Sequence, residues 1–559
     1  NYLQDEVMVS RFHTDPRIKS VELLLQGQIP REAPVETPHP EEVGILPPTE
    51  PRQVISAWQV QSRSPLPQAH CLSNGELSTV ITNAGSGYSQ WKDTALTRWR
   101  PDATLEQWGT WVYVQDQENG HLWSAGFQPV ATSPESEEVI FYPHKVKYQR
   151  REHDISLHME VAIAQRDNVE IRRLTLINHS DHRRHLRLTS YGEVVLAPQS
   201  VDQRHPAYNK LFIESEHLPD LNALLFRRRP RSNEEDPLFL IHLFVAKGAM
   251  DADCQVETRR DRFIGRGGTV RSPKVLNNQA GLSGFVGAPL DPVMAIAYPL
   301  ELESRASSSG SPFAFNKSEP KAEVAYLTLI ADSRNEALAL AQRYQNWHKI
   351  EESFDKARFS SEKEINQLNL NSQQIQLFEQ IFSGLLYPAS ALRADIETLR
   401  ANRQGQQGLW PLAISGDYPI LLVRIDHQED ISLVNELLQA HAYWRNRNLK
   451  IDLVILNLKD TGYSEELNER LRQLLNRRNE DGWLNRRGGI FIIRTDQIQK
   501  SQRVLLETAA RVILDADHGN LVDQLQCLEQ QPRRLPSFTA TASPPEDESI
   551  VPPLQRPDD

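Results

Sequence analysis

The sequence predicts an α+β multidomain protein with three folded parts: a large antiparallel β-sandwich, a helical connector, and a small α/β unit with three parallel strands. Short alternating apolar runs, separated by Gly, Asn, Asp and Pro clusters, dominate residues 53–333. Helix-forming residues dominate residues 334–400. Apolar strands then alternate with helices in residues 401–530, which is typical of a parallel sheet.

The β-rich part is long enough to form two packed sheets. Its runs, such as Leu174–Ile177 and Ala325–Ile330, alternate apolar and polar residues. Strands near 169–177 and 184–196 are joined by the polar segment Asn178–His182, and this arrangement predicts a hairpin.

The connector begins with the helix-forming run Asn335–Tyr344 and continues through Gln373–Leu386. The alternation that follows predicts strands at Ile420–Ile425, Ile451–Leu456 and Ile490–Arg494, and helices at Asp430–Arg445, Ser464–Arg477 and Ser501–Leu514.

Proline marks the outer boundaries. Residues 30–52 and 531–559 hold 14 of the 35 prolines, so we expect a linker and a Pro-rich acidic tail or linker there. Residues 1–29 contain one helical pattern without a core of its own, which indicates the end of a preceding domain. The chain starts without Met, as a piece of a longer protein would.

Composition excludes several classes of function. The net charge is 62 − 74 = −12, so no overall positive field exists to bind nucleic acid or anionic lipid. No apolar run approaches the ~18 residues of a membrane span, and no signal peptide opens the chain. The three cysteines are odd in number and far apart, which favours a reducing compartment. No spacing indicates a metal site.

A tryptophan-rich patch is the main candidate for ligand binding. Four of the ten tryptophans fall within residues 91–111, beside Gly-rich turns and Arg–Asp pairs. Aromatic faces stack on sugar rings while planar polar groups bond to hydroxyls, so this pattern suits a carbohydrate. The alternative is that these residues close and brace one end of the sandwich. The predicted contact residues are Trp91, Asp93, Arg98, Trp99, Asp102 and Trp108.

Three further residues are weaker candidates for the same site. Arg262 and Arg266 belong to an Arg-rich turn within Glu257–Gly268, where guanidinium groups could bind hydroxyls or phosphate. A solvated, salt-bridged loop explains that turn equally well. Trp410 precedes the first parallel strand, at the edge opposite to where nucleotides bind. We expect no catalytic residue in any of these segments.

Longer motifs resemble one family. The chain is similar to the first of two β-sandwich domains of bacterial cyclic β-1,2-glucan synthases, a supersandwich of the cellobiose-phosphorylase type (glycoside hydrolase family ninety-four). The similar segments in the sandwich are Asn74–Gly75, Gly85–Ser89, Thr97–Asp102, Trp123–Pro129, Ser190–Leu196, His205–Tyr208 and Asp261–Arg266. Those outside it are Arg11–Arg17, Glu22–Gln26, Gly408–Pro411, Ile414–Ile420 and Asp452–Asn457.

The resemblance implies a part of a large bacterial inner-membrane enzyme that builds, cyclises and trims a β-1,2-glucan from UDP-glucose. The UDP-glucose site would precede residue 1 and the phosphorylase-type acid would follow residue 559. We therefore expect no cofactor here, no direct membrane contact, a position on the cytoplasmic side, and β-1,2-glucan and neighbouring domains of the same chain as partners.

Three functions remain open at this point. The first is a glucan-binding and scaffolding segment without a complete active site. Phosphorolysis needs a raised-pKa carboxylic acid and a phosphate site in a deep pocket, and the sequence has no α/α repeat long enough to form the helical barrel that holds them in this family. The second is the N-terminal part of a β-1,2-oligoglucan phosphorylase that releases glucose 1-phosphate. The third is a spacer that binds no sugar.

Overall fold

Alternating apolar side chains build two large antiparallel sheets. A computed structural model describes residues 57–230, 235–248, 250, 252–277, 281–304, 320–458 and 464–528. The predictions for residues 1–29, 30–52 and 531–559 lie outside these residues. Strands and helices are numbered below in chain order.

The first sheet has nine strands in the order β1-β8-β9-β10-β11-β18-β15-β14-β13. Its strands are β1 (Trp58–Val60), β8 (Ser136–Tyr142), β9 (Lys145–Glu152), β10 (Ile155–Ile163), β11 (Val169–Asn178), β13 (Ile213–Leu218), β14 (Ala223–Arg228), β15 (Leu238–Ala246) and β18 (Lys321–Ala331).

The second sheet also has nine strands, in the order β16-β17-β12-β5-β4-β3-β2, with β6 pairing with β12 and β7. Its strands are β2 (Ala69–Ser73), β3 (Leu77–Thr82), β4 (Gly87–Trp91), β5 (Thr94–Thr97), β6 (Trp111–Asp116), β7 (Leu122–Ser124), β12 (Arg184–Ala197), β16 (Gln255–Arg259) and β17 (Pro292–Leu302). One apolar core takes side chains from both sheets, Trp123, Tyr148 and Phe244 among them.

The predicted hairpin between β11 and β12 is wrong, although both strands exist. β11 pairs with β10 and β18 in the first sheet, whereas β12 pairs with β17, β6 and β5 in the second. The polar segment between them therefore carries the chain across the sandwich. Asn178 is buried there and donates to the carbonyl oxygens of His182 and Glu303, at 2.9 Å each.

A buried histidine lies inside the sandwich. The two ring nitrogens of His242 lie 3.0 Å from the Thr328 hydroxyl and 2.8 Å from the Ser190 hydroxyl. Burial lowers the pKa of His242 to about 3, so the ring is neutral at physiological pH. Its polar atoms are satisfied, as buried polar groups require.

Short helices border the sandwich and longer ones follow it. The short helices are α1 (Gln199–Arg204), α2 (Pro206–Lys210), α3 (Arg260–Ile264) and α4 (Lys274–Asn277). The predicted connector consists of α5 (Arg334–Tyr344), α6 (Trp347–Leu368), α7 (Ser372–Leu386) and α8 (Ile396–Ala401). Asn371 begins α7 with a capping box that includes Gln374, which satisfies the first free N–H groups of the helix.

The last part is a parallel sheet between helices. Its strands are β19 (Ile420–Ile425), β20 (Asp452–Asn457), β21 (Ile490–Arg494) and β22 (Val512–Asp515), and its helices are α9 (Ile431–Asn446), α10 (Ser464–Arg477), α11 (Lys500–Ala509) and α12 (Leu521–Leu525). The order β21-β20-β19-β22 is parallel throughout. The α+β prediction is confirmed, with one difference: the helix predicted over Ser501–Leu514 ends at Ala509 and a fourth strand follows.

The sandwich, the connector and the parallel sheet share one apolar core. Trp99 from the sandwich, Phe378 from α7 and Trp444 from α9 belong to the same buried cluster. The Ser383 hydroxyl on α7 accepts the Ala69 N–H of β2 at 2.8 Å. Across the described ranges, no helix combines the length and apolar character needed to cross a membrane.

Candidate functional site

A cleft of about 290 Å³ opens where the segment after β5 meets β12, α2 and α3. We call it the Arg98 cleft. It is lined by Arg98, Arg100, Trp108, Glu193, Pro206, Lys210, Arg260 and Asp291. Its volume lies near the lower end of the ~300–1,000 Å³ found for small-molecule sites.

A buried ion cluster forms the floor of the cleft. The Arg98 side chain is only 4% exposed, and its Nε and Nη2 donate to the two oxygens of Asp202 at 2.9 Å each. Its Nη1 donates to Glu193 at 2.8 Å. Planar guanidinium groups match carboxylates in this bidentate way, so the geometry holds Arg98 in one orientation.

A second set of contacts ties the cleft wall to this floor. Arg260 on α3 donates to Glu193 at 2.6 Å, and the Tyr191 hydroxyl donates to the same carboxylate oxygen at 3.1 Å. Lys210 on α2 pairs with Asp291 at 2.5 Å. Residues from distant segments are thereby fixed around one space.

The cleft is charged but nearly balanced. Burial by itself raises the pKa of Glu193, but the neighbouring Arg260 and Arg98 outweigh it and hold that pKa below its usual range. Four cations (Arg98, Arg100, Lys210, Arg260) face three carboxylates (Glu193, Asp202, Asp291), a net charge of +1. Because its pKa is lowered, Glu193 stays ionised at neutral pH and cannot serve as a general acid.

The Gly-rich segment before the patch has a structural role. The N–H of Gly87 donates to the Trp108 carbonyl oxygen at 2.9 Å. The hydroxyls of Ser86 and Thr82 donate to Glu106 at 2.7 and 2.9 Å. These bonds anchor the segment that carries the Trp108 ring to the turn between β3 and β4.

Two predicted contact residues are core residues. Trp91 is 5% exposed in the sandwich core, and the Lys92 ammonium lies 4.0 Å from its ring centroid. Trp99 is 8% exposed and packs against Tyr88 and Tyr387, with ring centroids 5.0 and 6.0 Å away. Both rings are therefore buried, and neither presents a face to a ligand in this structure. Burying aromatic surface of this size stabilises the core.

Two predicted carboxylates have local partners. Asp93 lies on the turn between β4 and β5 and forms an ion pair with Lys450 of the α/β part. Asp102 accepts the N–H and the hydroxyl of Thr104 and the N–H of Leu105, so it stabilises its own turn. Neither lines the Arg98 cleft.

The weaker candidates are also separate from the cleft lining. Arg262 is exposed and donates to the Ser283 hydroxyl at 3.0 Å. Arg266 is exposed in the turn after α3. Trp410 is 58% exposed before β19, in the α/β part. Of the nine predicted residues, the structure brings Arg98 and Trp108 together in one cleft.

The sequence prediction missed most of the cleft lining. Arg100, Glu193 and Pro206 lie inside segments that carry the family resemblance, and Arg260 lies in the Arg-rich turn, so a signal existed for these four. Lys210 and Asp291 had none, because folding brings them together from segments about 80 residues apart. No group of three His, Cys, Asp or Glu residues within the described ranges could hold a metal ion.

Comparison with known proteins defines the class. Residues 52–347, more than half of the chain, match the glycosyl hydrolase 94 supersandwich domain, and the chain belongs to this family. Over 522 residues it is 30% identical to the cyclic beta-(1,2)-glucan synthase NdvB of Rhizobium meliloti (strain 1021), which covers 92% of this chain and 18% of that protein. The predicted resemblance to cyclic β-1,2-glucan synthases is thereby confirmed.

A second relative shares a shorter segment. Over 148 residues the chain is 28% identical to N,N'-diacetylchitobiose phosphorylase of Vibrio proteolyticus, covering 25% of this chain and 18% of that protein. The chain thus spans less than a fifth of these two relatives. A bacterial glucoamylase complexed with acarbose aligns at 9% identity over 59% of this chain and 42% of its own, with a TM-score of 0.35.

Proposed function

We propose that this chain is a glucan-binding and scaffolding segment of a cyclic β-1,2-glucan synthase and that the Arg98 cleft holds part of the glucan. The observation that carries the proposal is the cleft itself, where the partly buried Trp108 ring lies beside fixed guanidinium and carboxylate groups. An aromatic face next to oriented polar groups suits a sugar ring with its hydroxyls.

The cleft suits binding better than chemistry. Glycosyl transfer to phosphate or water needs a carboxylic acid that holds its proton at working pH. The pKa of Glu193 is lowered, so this residue does not hold a proton at working pH. Asp202 forms a buried ion pair with Arg98. We therefore place bond formation and cleavage in other domains of the parent enzyme, with UDP-glucose as its donor.

The β-1,2 linkage and the cellular location are parts of the same proposal. Their support is the similarity to the R. meliloti synthase along 92% of this chain. On this proposal the segment lies on the cytoplasmic side of the inner membrane, attached through its parent protein, and makes no membrane contact of its own.

The scaffolding role rests on how firmly the parts are joined. Glu379 on α7 accepts the Tyr443 hydroxyl of α9 at 2.9 Å and lies 3.2 Å from the His70 ring nitrogen of β2. One helix therefore contacts both the sandwich and the α/β part. Such a joint can hold neighbouring domains of the same chain at a set distance from the cleft.

Calorimetric titration with linear and cyclic β-1,2-glucans tests the proposal, with cello-oligosaccharides as the linkage control. We expect saturable binding that prefers the β-1,2 linkage. Trp108→Ala should weaken it roughly 5- to 30-fold, because losing an aromatic stacking face costs ~1–2 kcal/mol. Trp483→Ala is the matched control, since it removes an exposed tryptophan that is neither in the cleft nor a predicted contact residue, and it should bind as the unaltered chain does.

Two outcomes would replace the proposal. Absence of binding by the folded chain would favour a spacer. Release of glucose 1-phosphate from linear β-1,2-oligoglucans and phosphate, by the longer protein, would favour part of a β-1,2-oligoglucan phosphorylase. The similarity to a diacetylchitobiose phosphorylase makes this second candidate worth the assay.

A further inference from the structure

Trp410 presents an aromatic ring to solvent before the first strand of the parallel sheet. It is 58% exposed, and within the described part of the chain no other ring, cation or hydrogen-bonding group is paired with its indole. The other exposed tryptophan, Trp483, is 40% exposed, and the Arg445 guanidinium lies 4.4 Å from its ring centroid. Trp410 therefore has a free face, whereas one face of Trp483 is occupied.

A short 3₁₀ helix, Gln406–Leu412, carries Trp410 in a fixed position. Leu409, the residue before it, is 2% exposed and packs in the apolar cluster of the parallel sheet. The Gln406 amide donates to the Ser415 carbonyl oxygen at 2.8 Å, which ties the helix to the segment that follows. The backbone is thus ordered before any ligand binds, and this lowers the entropy cost of binding.

Gln407 lies on the same side of this helix as Trp410. A 3₁₀ helix has three residues per turn, so side chains at positions i and i+3 are aligned one above the other. Both side chains are exposed, whereas Leu409 between them is buried. The Gln407 amide has no hydrogen-bond partner among the described residues, so its donors and its acceptor are available to a ligand.

The polar groups before Trp410 are mostly amides. Four of the six residues 402–407 are Asn or Gln. The Gln404 amide oxygen also lies against the helix, 3.0 Å from where a Cβ on Gly408 would stand. Amides offer donors and acceptors without charge, as sugar hydroxyls require, and an aromatic face suits the C–H face of a sugar ring. A protein partner would instead favour a continuous apolar patch, which this polar segment does not supply.

We infer that Trp410 and Gln407 form a second glucan-binding surface, on the α/β part of the protein. One glucosyl ring would stack on the indole while its hydroxyls bond to the Gln407 amide. The identity of the ligand rests on the proposed function, but neither residue lines the Arg98 cleft. The chain would therefore hold glucan at two separate places, one on the sandwich and one on the α/β part.

Fluorine-19 NMR of the full chain labelled with 5-fluorotryptophan tests this inference, because each of the ten tryptophans carries one label. Trp108→Phe, Trp410→Phe and Trp483→Phe each remove one signal and so assign it. The probe is a short linear β-1,2-oligoglucan. We expect the Trp410 signal to shift saturably and the Trp483 signal to stay in place, since Arg445 covers that ring.

Three variants examine the surface further. In the Trp108→Ala background the midpoint of the Trp410 shift should change by less than about twofold, because Trp108 belongs to the other site. Gln407→Ala should raise that midpoint roughly 2- to 10-fold, because hydrogen bonds to the sugar hydroxyls are lost. Gln117→Ala is the matched control, since it removes an exposed glutamine on the turn between β6 and β7 and should leave the midpoint unchanged.

The two sites give separate outcomes. A fixed Trp410 signal together with a shifting Trp108 signal would overturn this inference and leave the Arg98 cleft as a glucan site. A shifting Trp410 signal with a fixed Trp108 signal would support this inference and contradict the cleft. If neither signal shifts, both assignments are wrong. A Trp410 signal that responds to protein concentration and not to glucan would also overturn the inference, because the surface would then join two copies of the chain.

Discussion

Replacing Arg98 with leucine should destabilise the sandwich by about 3–5 kcal/mol, because it leaves Asp202 as a buried carboxylate without its counter-ion. The Asp202 side chain is 6% exposed and accepts two bonds of 2.9 Å from Arg98. Glu193 keeps Arg260 and Tyr191 after the change. The loss therefore arises mainly at Asp202.

The double variant Arg98→Leu/Asp202→Leu separates the charge effect from lost packing. Removing both partners eliminates the unpaired charge, so the double variant should regain most of the lost stability. Arg259→Leu is the control at the exposed Arg259–Asp261 pair, where the change should stay within about 1 kcal/mol.

Urea unfolding followed by circular dichroism at neutral pH measures these differences, and a shared slope across variants shows that stability alone changed. A loss of less than about 1 kcal/mol for Arg98→Leu would contradict an unpaired buried charge at Asp202. A double variant no more stable than the single one would show that the cost comes from packing rather than from charge.

Two further changes test the backbone and the interior. Gly87→Ala should lower the free energy of unfolding by more than about 4 kcal/mol, because its φ is +146° and a Cβ would lie 1.9 Å from the Val80 carbonyl oxygen. Gly120→Ala is the control. Its φ is +75° but a Cβ there meets open space, so the same assay should show a loss of only about 1–2 kcal/mol. His242 stays neutral down to about pH 3 in the folded protein but gains a proton below about pH 6.5 in the unfolded chain. Lowering the pH therefore lowers the free energy of unfolding. Unfolding at pH 6.5 and 5 should show a loss of about 1.5–2 kcal/mol from this group, and His242→Gln should lack it; equal pH slopes would contradict the assignment.

The regular elements were predictable where periodicity is strong. The strands Ile420–Ile425 and Ile490–Arg494 and the helix Ser464–Arg477 have the predicted bounds. Each is a continuous apolar run or an amphipathic pattern flanked by polar residues, so local sequence decides it. β22 was missed because its four residues follow α11 after only two residues, and the apolar pattern continues through the break.

Strand pairing was not predictable to the same degree. β11 and β12 have the polar connection of a hairpin, yet each pairs with strands far along the chain. A turn of suitable composition permits pairing of its two strands but does not require it. Which sheet a strand joins depends on where its apolar face finds a core, and that is a property of the whole sandwich.

The candidate site was likewise predictable only in part. The amino-acid pattern was sufficient for the two-sheet class, the order of the three parts, the family resemblance, and Arg98 and Trp108 as candidates. The folded structure was needed to show that Trp91 and Trp99 face the core, and that Lys210 and Asp291 join Arg98 at one cleft. Residue type states which interactions a side chain can make, whereas the choice among them depends on which distant segments folding brings within hydrogen-bonding distance.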